Sequence, residues 1–335
     1  MKSLSKTLLG LAFYLMALGP IEAQERLKID FYTRFDYNCV SGNDVSTGEI
    51  SGFKGRFLLV RAEGDLGNGF TYYISHRLNK TNRDVKTFDS TDWAFLTYTT
   101  PDGKWDFSGG KLVQWVGAYE YDDHPIDVPF FSQYANHCNP YQLGVMAGRI
   151  FSPNDRLSFE CNASPYNQPG KNYLSYTLMW NGHHGIWHPI YTANLYEQEA
   201  YGPMYQIALG NEFRSGRLNV NLDQINRFNN DPSSLKHLDF MTSLTCRYAL
   251  TGHWTLFGKA TCDYNDNVIP FDSTVGAGTD NRMYGAGFEF FPDVEHNIKL
   301  YGFYLRSAGD FEFQQNDFSR IVFGLKWKVN MITLK

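Results

Sequence analysis

The sequence predicts an all-β protein: a 16-stranded antiparallel transmembrane β-barrel with an inward-folded third external loop. Three observations carry this. Apolar and polar residues alternate at a period of two along the whole chain, the gaps between alternating segments sort into short and long, and aromatics are abundant in a polar chain. There are 26 Phe, 22 Tyr and 7 Trp, yet mean hydropathy is −0.39. A barrel with one greasy face, one wet face and aromatic girdles has that composition.

The period of two is clearest in Ser319–Val329, "SRIVFGLKWKV". Successive strand side chains point to opposite faces. Ile321, Phe323, Leu325, Trp327 and Val329 therefore share one face, and Arg320, Val322, Gly324, Lys326 and Lys328 the other. A cation on the lipid face near the bilayer midplane costs ~2–4 kcal/mol, so the basic series should face the lumen.

From the start of the chain, Met1–Ala23 carries Lys2 and Lys6, an apolar run from Leu8 to Leu18, and "IEA" ending at Ala23. This reads as a signal peptide, leaving 24–335 as the barrel domain. The apolar run is shorter than the ~20 residues a spanning helix needs. Strong alternation follows at Leu27–Tyr37, Tyr173–Asn181, Arg217–Asp223, Leu238–Leu250, His253–Tyr264, Arg282–Phe291 and Asn297–Arg306. Weaker segments fill 53–64, 69–79, 91–100, 104–113, 141–150, 155–163, 187–197 and 201–213, and with Ser319–Val329 they make sixteen.

Short gaps hold turn residues: "DLGN" at 65–68, "PDG" at 101–103, "SPND" at 152–155, "NGHHG" at 181–185, "SG" at 215–216, "TG" at 251–252 and "PDV" at 292–294. Gly, Pro, Asn and Asp suit hairpin geometry. The other series is mostly longer, at 41–52, 80–90, 114–140, 226–234, 266–280 and 307–317. Tight turns on one rim and long loops on the other are the outer-membrane arrangement, with both termini on the periplasmic side. A β-sandwich has no reason to sort its loops this way.

Two stretches resemble a known family. Phe53–Lys80, "FKGRFLLVRAEGDLGNGFTYYISHRLNK", is similar to the second hairpin of the phosphate-selective porin O/P family of Gram-negative outer membranes. "WAFLTYTTPDGKWDFSGGKL" at 93–112 is similar to its next hairpin. The likeness is strongest over 27–113. It implies an outer-membrane diffusion channel, commonly a homotrimer, with the third loop folded into the lumen.

That loop is the longest gap, 114–140, and long loops are usually functional. It carries Glu120, Asp122, Asp123 and Asp127 with Tyr119 and Tyr121, and neither Lys nor Arg. These six residues are the expected pore constriction. The lysines and arginine ladder that the resemblance implies for phosphate selectivity are missing from the loop. By register, wall cations Arg34, Arg61, Arg77, Arg247, Lys259, Lys299, Arg320 and Lys326 point inward. So do Asp30, Asp36, Glu63, Glu160, Glu212, Asp223, Asp239, Asp263 and Glu289. An acidic loop opposite basic wall residues would set up a transverse field, and weak selectivity tilted toward cations is expected.

The expected function is passive diffusion of ions and small polar solutes through a water-filled channel in outer-membrane lipid. A sugar- or phosphate-specific channel is the alternative. Loop aromatics Trp115, Tyr119, Tyr121, Phe130, Phe131 and Tyr134 suit a sugar track, although packing against the wall explains them too. A lipase-like barrel enzyme is a lesser alternative, since no Ser/His spacing stands out. Net charge of −5 argues against a nucleic-acid partner. No cofactor or metal is expected: His183 and His184 are adjacent and point apart, and Asp122-Asp123-His124 lacks a second set of ligands. Cys161, Cys246 and Cys262 fall on apolar registers, while Cys39 and Cys138 read as loop or near-loop residues that could be bridged.

Overall fold

The computed structural model describes residues 26–334 apart from 81–87, 138, 168–169, 200–201, 230–236 and 267–274. The signal segment and Cys138 therefore lie outside the described residues. Strands β1 (Leu27–Gly42), β2 (Gly52–Gly67), β3 (Phe70–Arg77), β4 (Thr91–Thr99) and β5 (Trp105–Val113) lead into the long loop. After it come β6 (Tyr141–Ser152), β7 (Asp155–Ala163), β8 (Leu174–Gly182), β9 (Trp187–Tyr196), β10 (Met204–Ser215) and β11 (Leu218–Asn229). The series ends with β12 (Asp239–Ala249), β13 (Trp254–Asn265), β14 (Thr279–Phe290), β15 (Ile298–Phe311), β16 (Gln314–Gln315) and β17 (Phe318–Leu334). β16 is a two-residue ladder on the outer end of β15. The sixteen others each pair antiparallel with their chain neighbours. β1 pairs β17 from Leu27↔Leu334 to Gly42↔Phe318, which closes the cylinder and removes its edges.

Closure works because the alternation matches the pleat. In β17, Ile321, Phe323 and Val329 are exposed on the outer face while Arg320 and Val322 are buried inside. Outward aromatics form cross-strand pairs near both rims. Tyr205 stacks with Phe228 at 5.6 Å and Phe240 with Tyr264 at 5.6 Å toward the long-loop end. Trp254 meets Phe290 at 4.6 Å toward the turn end. Such pairs stabilise neighbouring strands and place amphipathic rings at the two membrane interfaces.

Short turns and both described chain ends lie on one rim, the longer loops on the other. At the β2–β3 turn, Asn68 and Gly69 take φ of 54° and 83°, the left-handed pair a two-residue type I′ hairpin requires. Cys161, Cys246 and Cys262 are half-buried on the outward register, as small hydrophobes would be. Cys39 differs from expectation. It lies within β1, exposed on the outer face opposite Ile321, rather than beside a loop.

The lumen departs from a uniformly polar interior. Phe257, Met283, Phe303, Leu305, Phe318 and Val322 share the inward register and cluster with Phe130 of the long loop. The apolar core of this molecule lies inside the cylinder, around that loop.

Candidate functional site: the loop across the lumen

The loop 114–140 is pinched at its base, where the Gln114 backbone N–H donates to the Pro140 carbonyl at 2.6 Å. Its first leg lies against β7–β11. The Trp115 N–H donates to Glu160 at 3.1 Å, and Asn194 Nδ2 donates to the Trp115 carbonyl at 2.8 Å. The Gly117 N–H donates to Thr192 Oγ1 at 2.9 Å. Backbone meets backbone here: a Cβ on Gly117 would fall 2.7 Å from Ile190 O and Thr192 N, so only glycine allows the approach. Asp223 then accepts from the N–H groups of Tyr119 (2.7 Å) and Glu120 (3.1 Å), satisfying the start of the helical turn Tyr119–Asp122.

The tip crosses toward β1 and β17. Asp123 pairs with Arg247 at 3.3 Å. His124 stacks on Tyr32 with ring centres 5.8 Å apart. Arg34 Nη1 donates to the carbonyls of Ile126 (3.2 Å) and Val128 (2.8 Å) while the same guanidinium pairs with Asp36 at 3.1 Å. Asp127 is gripped by Lys299 at 2.9 Å and Lys326 at 2.6 Å.

On the return, Phe130 enters the luminal apolar cluster. Glu120 reaches across to Lys259 at 2.5 Å and accepts from Ser132 through N–H (2.8 Å) and Oγ (2.5 Å). A second helical turn, Gln133–His137, follows. The Tyr134 N–H donates to Asp263 at 3.3 Å and its hydroxyl to Asp239, while Arg227 lies 4.3 Å from its ring centre. The loop thus has two short helical turns of its own.

All eight wall cations read from register face the interior or the loop. Arg34, Arg247, Lys259, Lys299 and Lys326 hold loop atoms. Arg77 pairs with Asp92 and Arg320 with Asp44. Arg61 lies between the rings of Tyr32 (5.0 Å) and Tyr73 (5.1 Å). The expected transverse field is corrected by these contacts. Glu120, Asp123 and Asp127 meet the wall cations as ion pairs rather than facing them across open water. Wall acids Glu160, Asp223, Asp239 and Asp263 bond loop donors. They are loop anchors, not free lumen charges.

Environment sorts the loop's titratable groups. Loss of hydration opposes charge on Asp127, yet Lys299 and Lys326 outweigh it and hold the carboxyl well below the usual range. Asp122 has no cation within ion-pairing distance among the described residues. Desolvation, then Asp123 and Glu212 nearby, push it up to about 6. Desolvation also raises Asp123 against the pull of Arg247. Burial, reinforced by Arg61, takes His124 down to about 4, so it is neutral at physiological pH.

Of the six expected constriction residues, Tyr119 and Glu120 are buried against the wall and Asp127 is consumed by two lysines. Tyr121, Asp122 and Asp123, with Glu120 beside them, line a chamber of about 510 Å³ between the loop and the wall at β2–β6. Beneath it, His124 and Pro125 face Phe57, Leu59, Arg77 and Trp93 across a slot of about 10 Å³, room for about one water molecule. Sequence reasoning missed this slot. Its signal was available, since Phe57 and Leu59 share the inward register of Arg61. Of the loop aromatics, Trp115, Phe130 and Tyr134 pack against the wall, as Tyr119 does.

Elsewhere, His183 and His184 do point apart. His183 Nδ1 lies 2.7 Å from His188 Nδ1, and His184 lies 3.2 Å from Asp155.

A closed sixteen-strand cylinder with aromatic girdles, sorted loops and a chain segment across its lumen defines an outer-membrane porin-type barrel. Residues 27–175 match the family described as phosphate-selective porin O and P. No curated protein matches the chain in sequence. Solved structures share the fold across nearly the whole length. The outer-membrane channel DcaP of Acinetobacter baumannii superposes with TM-score 0.67 at 13% identity, over 93% of this chain and 99% of that one. An anion-selective porin from Comamonas acidovorans gives 0.64 at 10% identity, over 91% and 100%. OmpT of Vibrio cholerae in its trimer form gives 0.62 at 11% identity, over 92% and 100%.

Proposed function

We propose that this chain is an outer-membrane porin for passive diffusion of ions and small polar solutes, narrowed where the loop 114–140 crosses the lumen. The observation that carries the reading is the loop itself, fastened to inward residues of β1, β7, β9, β11–β13, β15 and β17. A segment held at so many points fixes a bore, and the side chains around the bore set what passes. The constriction assignment moves accordingly: Asp122, Asp123 and Tyr121 guard the approach, while Glu120, Asp127 and Tyr119 hold the loop.

Pairing of Glu120, Asp123 and Asp127 with wall cations leaves Asp122 as the unpaired loop acid among the described residues, so weak cation preference is the expected selectivity. The paired charges do not support phosphate specificity. Packing of Trp115, Tyr119, Phe130 and Tyr134 against the wall removes most of the aromatic surface a sugar track would need. We further propose a channel without enzymatic activity, assembled as a homotrimer like the Vibrio cholerae form.

Planar-bilayer recording tests the reading. Stable conductance steps with reversal potentials close to zero in a salt gradient, displaced slightly toward cations, are expected. A strong anion preference, or current blocked by phosphate at low concentration, would overturn it. Light scattering or crosslinking in detergent gives the subunit number.

A further inference from the structure

A second chamber, of about 270 Å³, lies on the other side of the loop ridge, toward β1 and β14–β17. Phe57, Pro125, Phe131 and Asn136 separate it from the larger one, lining both. Its two sides differ chemically. One is the luminal apolar cluster, presenting Met283, Phe303, Leu305, Phe318 and Val322. The other is an ion-pair network. Asp36 takes Arg34 at 3.1 Å and Arg56 at 3.0 Å, Arg56 also meets Glu49, and Arg320 meets Asp44.

The apolar side packs on Phe130 and turns only its edges to the chamber, and ligand sites are mostly apolar with a few placed polar groups. Here the two sides face each other across the chamber. Arg320, which is 8% exposed, has its Nε buried without a hydrogen-bond partner, leaving a charged donor unsatisfied beside the cavity. The three cations Arg34, Arg56 and Arg320 balance the three anions Asp36, Asp44 and Glu49. A solute of net charge would add an uncompensated charge to this neutral network, and a solute carrying both signs would not.

We propose that this chamber binds small zwitterions with an apolar side chain, the chemistry of an aromatic or branched-chain amino acid. The side chain lies on the chamber-facing edges of Phe303, Leu305, Phe318 and Val322, the carboxylate accepts from the Arg320 guanidinium, and the ammonium donates toward Glu49. The assignment rests on the channel reading above and names a solute class for it.

The test is current block in planar bilayers at neutral pH, using L-phenylalanine, glycine, 3-phenylpropionate and 2-phenylethylamine as probes. L-Phenylalanine should interrupt the current at a concentration at least tenfold below that of the other three. Leu305→Trp, which fills the cavity, should abolish the effect while conductance steps persist, and Arg320→Gln should weaken it at least fivefold. Should Leu305→Trp fail to fold, Val322→Phe serves the same purpose. Equal block by glycine, or undiminished block after the cavity is filled, overturns the site. Equal block by 3-phenylpropionate overturns the zwitterion assignment. Titration calorimetry of the detergent-solubilised protein separates the two readings. Binding of L-phenylalanine without conductance would sink the channel and keep the site, and conductance without binding would do the reverse.

Discussion

Replacing Lys259 by methionine keeps the bulk of its side chain but strands the Glu120 carboxylate. Both side chains are nearly inaccessible, 3% and 1% exposed, and their 2.5 Å contact ties the loop's first leg to β13. The same ammonium donates to the Phe130 carbonyl at 2.8 Å, so two points of the loop depend on it. Breaking a buried pair by removing one partner costs about 3–5 kcal/mol, because the remaining charge is left uncompensated. Every 1.4 kcal/mol is tenfold, so the equilibrium between seated and displaced loop should move by roughly a hundredfold to a few thousandfold. Sixteen paired strands are untouched, and the cost should appear as loop motion rather than barrel unfolding. Single-channel recording should show larger, noisier conductance for Lys259→Met, and hydrogen exchange should rise across 115–134. Lys259→Met combined with Glu120→Gln removes the stranded charge and should recover much of the quiet state. Equal disturbance in the single and double variants, or none in either, would refute the claim that this pair seats the loop.

Other outcomes follow from the same geometry. Asp122 is ionised above about 6, so cation preference should fall as pH drops through 6 and stay flat there in Asp122→Asn, read from reversal potentials between pH 5 and 8. Because its folded value is raised, ionising Asp122 opposes loop seating, and hydrogen exchange across the loop should increase slightly as pH rises from about 4 to 6. Gly117→Val drives a branched side chain into Ile190 O and Thr192 N and should unseat the first leg, raising conductance severalfold with unchanged circular dichroism. Phe323→Arg places a cation on the lipid face and should cost about 2–4 kcal/mol, seen as a lower folded fraction by gel mobility without boiling.

Much of the cylinder was legible because its information is local. Whether Ile321 or Lys326 faces lipid depends only on the parity of its position, and Asn68-Gly69 specifies its own turn. The eight inward cations follow from the same parity. Their use did not, since nothing near Lys259 names Glu120, which lies 139 positions away. Reading the two as opposite walls of an aqueous field was reasonable from charge alone, but burial turned them into a clasp. The luminal apolar stripe was visible in principle: Phe257, Phe303 and Phe318 sit on the cationic phase of their strands. Alternation alone marks which face a residue takes, and what a hydrophobe on the wet face packs against depends on the distant loop. Cys39 was misplaced because β1 extends to Gly42, farther than the polar "CVSGND" run suggested.

The position of the family match along the chain has an evolutionary corollary. The matched segment, 27–175, contains the crossing loop and its anchors Arg34 and Glu160, whereas Thr192, Asp223, Arg247, Lys259, Asp263, Lys299 and Lys326, which also seat it, come later. Substitutions in that later half can therefore reshape the aperture while the matched segment stays intact.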